Sequence, residues 1–165
     1  MIDMFSLLAR YNQWANSRLF EDLTALSDGD LSRPFPVNFG SVTGILNHLL
    51  LTDRLWLSRF TGKGNPPKRI DETPYPAFSD LSRERGAEDL RILAFAGALT
   101  RETLQGVLSY RNTQNVPQTG FFGGLVMHFF NHQTHHRGQV HALAGSLGLA
   151  PRDLDLGFYL IENGG

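Results

Sequence analysis

Apolar residues recur with a helical period along most of this chain, and glycines and prolines interrupt the pattern between the periodic stretches. The pattern predicts four long helices and a short fifth one. The predicted helices span about 3–26, 41–61, 80–104, 122–147 and 153–161. Ser41 and Ser79 are suitable N-caps for the second and third helices, and Gly148 ends the fourth. The prolines of 65–78 predict a long crossing loop, and 110–120 is predicted to be a loop or short strand.

Four long helices with two long connections predict an all-α fold, a four-helix bundle in which some neighbours run parallel. The chain has 165 residues, of which 41% are hydrophobic, and this suits one domain covering 1–165. Bundle cores commonly hold metal ions between facing helices. The positions of the histidines on these helices therefore decide which chemistry is available.

Five of the six histidines lie inside or near one short run, 127–139, on the predicted fourth helix. Each helical step turns the side chain by about 100°, and apolar residues such as Phe129 then form one core-facing arc. His136 lies at the middle of that arc, and His132 lies about 40° away. Two histidines four residues apart can both reach one metal ion. The alternative is that they are hydrogen-bonded core histidines or a solvated stripe, but their place in a histidine cluster favours a metal.

Two ligands rarely complete a metal site, and a third is expected from another element. His48 is the only histidine outside the C-terminal region, and it lies at the edge of the buried face of the second helix. Taken alone, it would be interpreted as a structural residue satisfied by a hydrogen bond. With His132 and His136 on a facing helix, it becomes the candidate third ligand.

Four segments of the chain resemble the DinB/YfiT-like family of metalloenzymes. They are Tyr11–Asn16, Asn47–Leu50, Val107–Pro117 and Asn131–Gln139. The His-x-x-x-His-Arg-Gly-Gln portion of the last segment is fairly specific, and the resemblance covers nearly the whole chain. It implies an up-down-down-up four-helix bundle, often dimeric, with long loops between helices two and three and between helices three and four. It also implies a divalent-metal site whose ligands are His48, His132 and His136, the same set that the helical pattern indicates.

Further polar residues are weaker candidates for a substrate pocket or for support of the ligands. They are Asn12, Asn16, Asp53, Tyr110 and Gln139. The two asparagines either line a polar pocket or bond to backbone groups, and the second interpretation is favoured. The aspartate either orients a ligand or pairs with an arginine such as Arg54 or Arg137. Among the other histidines, His128 and His135 are weak catalytic candidates as proton shuttles, whereas His141 points away.

Composition and charge exclude several classes of function. Fifteen basic and 16 acidic residues leave a net charge of -1, which gives no support for binding nucleic acid. The chain has no cysteine, and therefore no disulfide, thiolate ligand or cysteine nucleophile. Neither a secretory pattern nor a run of 18 uncharged apolar residues is present, so a cytoplasmic protein without a membrane partner is expected. Tyr11 and Trp14 are expected either as surface aromatics of a homodimer contact or as residues packed under a loop.

Three neutral imidazoles leave a divalent metal its full charge and an open position for a ligand, and zinc and nickel suit nitrogen donors best. Relatives that the chain resembles include transferases that use low-molecular-weight thiols. The expected function is therefore a metal-dependent enzyme that activates a small thiol for S-transfer to an electrophilic small molecule. The alternatives are a hydrolase using metal-bound hydroxide and a nonenzymatic, stress-related metal-binding or interaction protein.

Overall fold

The computed structural model describes residues 2–164, and most of them are helical. Within this range four long helices form most of the structure: α1 (Ile2–Leu23), α3 (Val42–Thr61), α4 (Phe78–Gly97) and α6 (Phe122–Ser146). The same range contains the short helices α2 (Asp28–Leu31), α5 (Arg101–Gln105) and α7 (Leu156–Glu162), and an antiparallel hairpin of β1 (Val107–Arg111) and β2 (Pro117–Phe121). The predicted all-α class is confirmed, with a small hairpin added. None of the helices within 2–164 is long and apolar enough to cross a membrane.

Capping residues set the ends of α3. The Ser41 hydroxyl accepts a hydrogen bond from the Gly44 amide at 3.0 Å, which satisfies a backbone donor of the first turn. At the other end, Gly62 takes a left-handed conformation with φ 67°, and its amide donates to the Ser58 carbonyl. Gly148, with φ 93°, follows the end of α6 in the same conformational region. These ends agree with the sequence prediction to within one or two residues.

Two predicted helix bounds were wrong. The first helix ends at Leu23, and Ser27 then caps the separate helix α2 through a reciprocal bond with Asp30. The third predicted helix breaks after Gly97, because the Thr100 hydroxyl accepts from the Thr103 amide and starts α5 instead. The segment before α6, predicted as a loop or short strand over 110–120, is a paired hairpin in which residues 107–111 face 117–121.

Each long helix packs against two of the others: α1 and α3 each contact both α4 and α6. The side chains that meet show that α1 and α6 run in one direction, whereas α3 and α4 run in the opposite one. The pairs are Phe5–Phe130 and Asn12–Arg137 for α1 with α6, Phe20–Phe78 and Asn12–Asp89 for α1 with α4, His48–His132 and Trp56–His128 for α3 with α6, and Asp53–Arg85 and Phe60–Phe95 for α3 with α4.

The helices enclose two apolar clusters separated by a buried polar layer. One cluster includes Phe5, Ile92 and Phe129, and the other includes Leu19 and Val140. Between them, all four long helices contribute buried polar side chains: Asn12 and Asn16 from α1, Asp53 from α3, Arg85 and Asp89 from α4, and Gln133 and Arg137 from α6. Because buried polar groups are costly without partners, this layer requires mutual hydrogen bonds to be stable.

The short helix α7 folds back over α1 and covers its aromatic residues. Tyr11 is buried, its hydroxyl donates to the Leu154 carbonyl at 2.7 Å, and its ring packs edge-on against Tyr159. Trp14 packs on the same tyrosine with ring centroids 5.6 Å apart, and its indole donates to Glu162. The interpretation of Tyr11 as a surface aromatic for a dimer contact was therefore wrong, because the C-terminal segment already occupies that face. The homodimer itself stays a prediction.

Candidate metal centre

The first candidate ligand, His48, lies on α3 and is held from two sides. Its Nδ1 donates to the Ile70 carbonyl at 2.8 Å, and Ile70 belongs to the loop between α3 and α4. This bond fixes the tautomer and leaves the lone pair of Nε2 free to bind a cation. The Phe39 ring stacks on the imidazole with a centroid separation of 3.7 Å. The ring of His48 is therefore oriented before any ligand binds.

The other two candidates, His132 and His136, lie one turn apart on α6 and face α3. The Nε2 atoms of His48 and His132 are 3.4 Å apart. His136 donates from Nδ1 to the Gln139 side-chain oxygen at 2.8 Å, which leaves its Nε2 as the free nitrogen. One nitrogen from each of the three rings lies within 4.8 Å of the others. Imidazoles from two distant stretches of the chain thus converge on one point.

The environment keeps these three imidazoles neutral. Burial, followed by repulsion from the neighbouring histidines, lowers the pKa of His132 to about 3. Burial likewise lowers the pKa of His136 to about 4, against the opposing hydrogen bond to Gln139. The pKa of His48 is also lowered by burial, although the Ile70 carbonyl opposes the shift. Neutral imidazole is the form that binds metals, so the donor set fits a divalent cation at neutral pH.

The chemistry of the donor set supports a metal rather than a hydrogen-bonded core cluster. Two free Nε2 atoms at 3.4 Å share at most one proton, so three converging lone pairs are poorly satisfied by one another. A cation placed among them satisfies all three at once. The alternative interpretation, of core histidines fully satisfied by hydrogen bonds, accounts for the Nδ1 atoms of His48 and His136 but not for the converging Nε2 atoms.

Of the weaker candidates, Gln139 is the one that touches a candidate ligand. Besides accepting from His136, its amide nitrogen lies 3.2 Å from Nε2 of His135. His135 is exposed and its ring centroid is 4.9 Å from that of His136. His128, also exposed, lies 5.9 Å from His132 on the other side and packs against Trp56. Both weak catalytic candidates therefore flank the three-histidine group rather than belong to it.

The structure places Asn12, Asn16 and Asp53 in the buried polar layer, away from the three rings. Both asparagines donate to Asp89, at 3.2 and 2.9 Å, and accept from Arg137. The carboxylate of Asp53 accepts from Arg85 at 2.6 Å and from Gln133 at 3.0 Å. The expected partners of Asp53, Arg54 and Arg137, bond elsewhere: Arg54 pairs with Glu84 and Glu88, and Arg137 with the asparagines.

Two buried cations, Arg85 and Arg137, balance the two buried carboxylates of this layer, and Arg85 is the one that pairs with both of them directly. It lies between Asp53 and Asp89, with nitrogen–oxygen distances of 2.6 and 3.0 Å. Burial raises the pKa of Asp53 to about 6, although the charge and hydrogen bond of Arg85 hold it down. Burial also raises the pKa of Asp89 against the same opposing charge. The guanidinium itself stays protonated, because the two carboxylates outweigh its desolvation and raise its pKa.

Sequence reasoning did not single out Phe39, Ile70, Arg85 or Gln133. Arg85 carried a signal, because Leu81, Arg85, Asp89 and Ile92 share one helical face, and a buried charge there needs a partner. Gln133 adjoins a ligand but points into the polar layer. Phe39 and Ile70 lie in loops and contact His48 through a ring and a backbone carbonyl, respectively. Helical periodicity does not predict which loop atom reaches a helix.

An all-α protein with three histidines able to hold a metal ion is the class that this fold and site define. The chain belongs to the DinB family, whose model matches residues 1–163. It is similar to "Protein DinB" of Bacillus subtilis (strain 168), with 27% identity over 166 residues, covering 97% of this chain and 95% of the relative. The family predicted from the sequence is thereby confirmed.

Proposed function

We propose that His48, His132 and His136 hold one divalent metal ion, zinc or nickel, and that the site activates a small thiol for S-transfer to an electrophilic small molecule. The observation that carries the metal proposal is the convergence of three ring nitrogens within 4.8 Å on two facing helices. When bound, the metal would stabilise the thiolate form of the thiol, which is the nucleophilic form. The geometry of the four long helices supports a single-domain, up-down-down-up bundle as the frame of this site.

The proposal favours thiol transfer over hydrolysis because the donor set contains no carboxylate. In the H-E-x-x-H metalloproteases, for example, a glutamate beside the metal is the general base that activates water. The carboxylate whose charge acts on His48, Asp71, pairs with Arg69, and the buried carboxylates of Asp53 and Asp89 are engaged by Arg85. A thiol has a lower pKa than water and needs less help to lose its proton, so a neutral donor set is sufficient for its activation.

The chain's own residues have three roles in this proposal. The Ile70 carbonyl and Gln139 orient His48 and His136 by fixing their Nδ1 protons. The ring of Phe39 stacks on His48 and meets His136 edge-on, and it shields both imidazoles from water on the side that it covers. The exposed flanking histidines, His128 and His135, would accept the proton that a thiol releases.

Metal content of purified variants tests the site. His132→Ala and His136→Ala are expected to lose most of the metal, and His48→Ala is expected to bind it much more weakly. His141→Ala is the matched control, because His141 bonds to the Arg152 carbonyl outside the three-histidine group. Mass spectrometry of metal content measures each variant. Normal occupancy in the His136 variant contradicts the assignment.

Thiol dependence of turnover tests the reaction. The metal-loaded protein is assayed with an electrophile such as 1-chloro-2,4-dinitrobenzene, with and without glutathione, bacillithiol or mycothiol. Conjugation that requires a thiol and disappears when His132 is replaced supports the transferase. Turnover of ester or amide substrates that is indifferent to thiol supports the hydrolase instead. A loaded protein inactive in both assays supports a metal-binding role without catalysis.

A further inference from the structure

A second feature of α3 lies on the same helical face as His48. Arg59 is eleven residues further along, and eleven steps of about 100° bring its side chain back to within about 20° of the same direction. The two Cα atoms are therefore separated by about 16 Å along the helix axis. The guanidinium folds back over Trp56, one turn nearer the histidines, with its central carbon 4.8 Å from the ring. This leaves about 11 Å between the charge and the histidine group along the helix.

Arg59 is a half-buried cation without an acidic partner among residues 2–164. Its guanidinium lies between Trp56 and Tyr110, 4.8 and 4.7 Å from their ring centres. Its one hydrogen bond within this range runs from Nη2 to the Arg111 carbonyl at 2.7 Å. By contrast, the neighbouring Arg54 pairs with two carboxylates. Burial lowers the pKa of Arg59, which agrees with a guanidinium whose desolvation no carboxylate offsets.

Aromatic rings connect this cation to the three histidines. Tyr110 packs on Trp56 with centroids 5.3 Å apart, and His128 meets Trp56 at 5.4 Å. His128 in turn lies 5.9 Å from His132. A ligand that reaches from the histidines toward Arg59 would therefore follow a row of rings in which His128 is exposed, Tyr110 is half-buried and Trp56 is 9% exposed. Such a row favours flat or aliphatic groups and offers a fixed positive charge at its far end.

We propose that Arg59, held between Trp56 and Tyr110, forms a carboxylate-binding subsite for the small molecule that reacts at the three-histidine site. The inference rests on the proposed function and adds a ligand class: the molecule bears a carboxylate about 10 Å from its reacting atom. An arginine presents two parallel donors to a carboxylate, and four of its five N–H groups make no bond within residues 2–164. The aromatic rings fix the guanidinium, which reduces the entropy lost when the carboxylate binds.

A matched pair of probes measures this subsite directly. 8-Mercaptooctanoate and 8-mercaptooctanol have the same length and differ only at the end far from the sulfur. Binding to the metal-loaded protein is followed by calorimetry. It is also followed by tryptophan fluorescence in a Trp14→Phe background, in which Trp56 is the one remaining indole. The carboxylate is expected to bind about tenfold tighter than the alcohol, as one charged contact at a half-exposed site provides.

Replacing the arginine identifies the charge responsible. Arg59→Gln is expected to bring the two affinities within about twofold of each other, and Arg59→Lys to keep part of the preference because it keeps the charge but not the planar fork. Arg111→Gln is the matched control: it removes a neighbouring charge while leaving the carbonyl that Arg59 uses. Circular dichroism and metal content confirm that each variant is folded and loaded. The subsite is overturned if the wild type does not prefer the carboxylate to the alcohol, or if this preference survives Arg59→Gln. It is also overturned if neither probe binds.

Probes without sulfur separate this inference from the proposed function. If octanoate binds more tightly than octanol, this difference requires Arg59, and the thiol group does not increase the affinity, then the subsite stands and thiol activation fails. If metal-dependent thiol binding shows no carboxylate preference, thiol activation stands and the subsite fails. The same probes distinguish two sources of the carboxylate. If 8-mercaptooctanoate binds more tightly than both octanoate and 8-mercaptooctanol, the thiol is the reactant that carries the carboxylate. If octanoate and 2-mercaptoethanol bind at the same time, the electrophile is the reactant that carries it.

Discussion

Replacing Arg85 by Met tests whether the buried polar layer depends on this one cation. The side chains of Arg85, Asp53 and Asp89 are 5%, 1% and 4% exposed, so none is effectively solvated. Met keeps much of the volume and removes the charge, so the two desolvated carboxylates lose the cation that pairs with them directly, and the charge of Arg137, which bonds to Asn12 and Asn16, is left to oppose theirs. Removing one partner of a buried ion pair costs about 3–5 kcal/mol, and we expect this loss in the free energy of unfolding at pH 8.

The pH dependence of this loss follows from the carboxylate pKa values. Burial already raises the pKa of Asp53 to about 6 and raises that of Asp89, and Arg85 opposes both shifts. Without Arg85 both folded-state values rise further, and each added unit costs about 1.4 kcal/mol at a pH above the folded-state value. As the pH falls through those values, the folded protein takes up protons before the unfolded chain does, so the cost decreases. The variant is therefore expected to recover at least about 1.5 kcal/mol relative to wild type at pH 5.5.

Urea unfolding of the metal-free protein at pH 8 and pH 5.5 measures both effects. Arg83→Met is the control on the same helix, because Arg83 pairs with Asp80 at the surface and its loss is expected to change neither the stability nor its pH dependence. A loss below about 1 kcal/mol for Arg85→Met at pH 8, or a loss that grows as the pH falls, would refute this electrostatic account.

Two further predictions concern the supports of the candidate site and one tight contact in the fold. Gln139→Ala removes the acceptor that orients His136 and is expected to weaken metal affinity by about 10–100-fold in a competition titration; unchanged affinity would show that the ring is held by other contacts. Gly44→Ala drives a Cβ into the Phe39 carbonyl oxygen and is expected to lower the free energy of unfolding in urea by about 1–3 kcal/mol. Gly138→Ala, with open space around it, is expected to be neutral or stabilising, and equal effects of the two variants would contradict the contact.

The long helices and the histidine group could be predicted because both depend on local periodicity. A 3.6-residue repeat places His132 and His136 on one face wherever the helix packs, and an apolar second helix places His48 inward. Caps at Ser41 and Gly62 bounded that helix for the same local reason. Thr100 shows how a competing local signal interrupts such a pattern, because a threonine N-cap there starts a new helix within a continuous apolar repeat.

The supports of the site could not be predicted, because they depend on tertiary contacts. The Ile70 carbonyl reaches His48 across 22 residues of chain, and the Phe39 ring reaches it from a loop with a left-handed backbone (φ 66°). Asp53 was predicted to orient a ligand or to pair with an arginine such as Arg54 or Arg137, whereas packing of α3 against α4 brings Arg85 to it. Side-chain partners across a helix interface follow from helix order and register, which the hydrophobic pattern of one chain leaves open.

X-ray absorption spectroscopy at the metal edge of the zinc- or nickel-loaded protein tests the central claim most directly. The expected spectrum contains imidazole scattering from three nitrogen ligands at about 2.0–2.1 Å, and it falls to two imidazoles in the His48→Ala variant. A spectrum dominated by carboxylate oxygens, or one that keeps three imidazoles after His48 is replaced, would contradict binding of the metal by His48, His132 and His136.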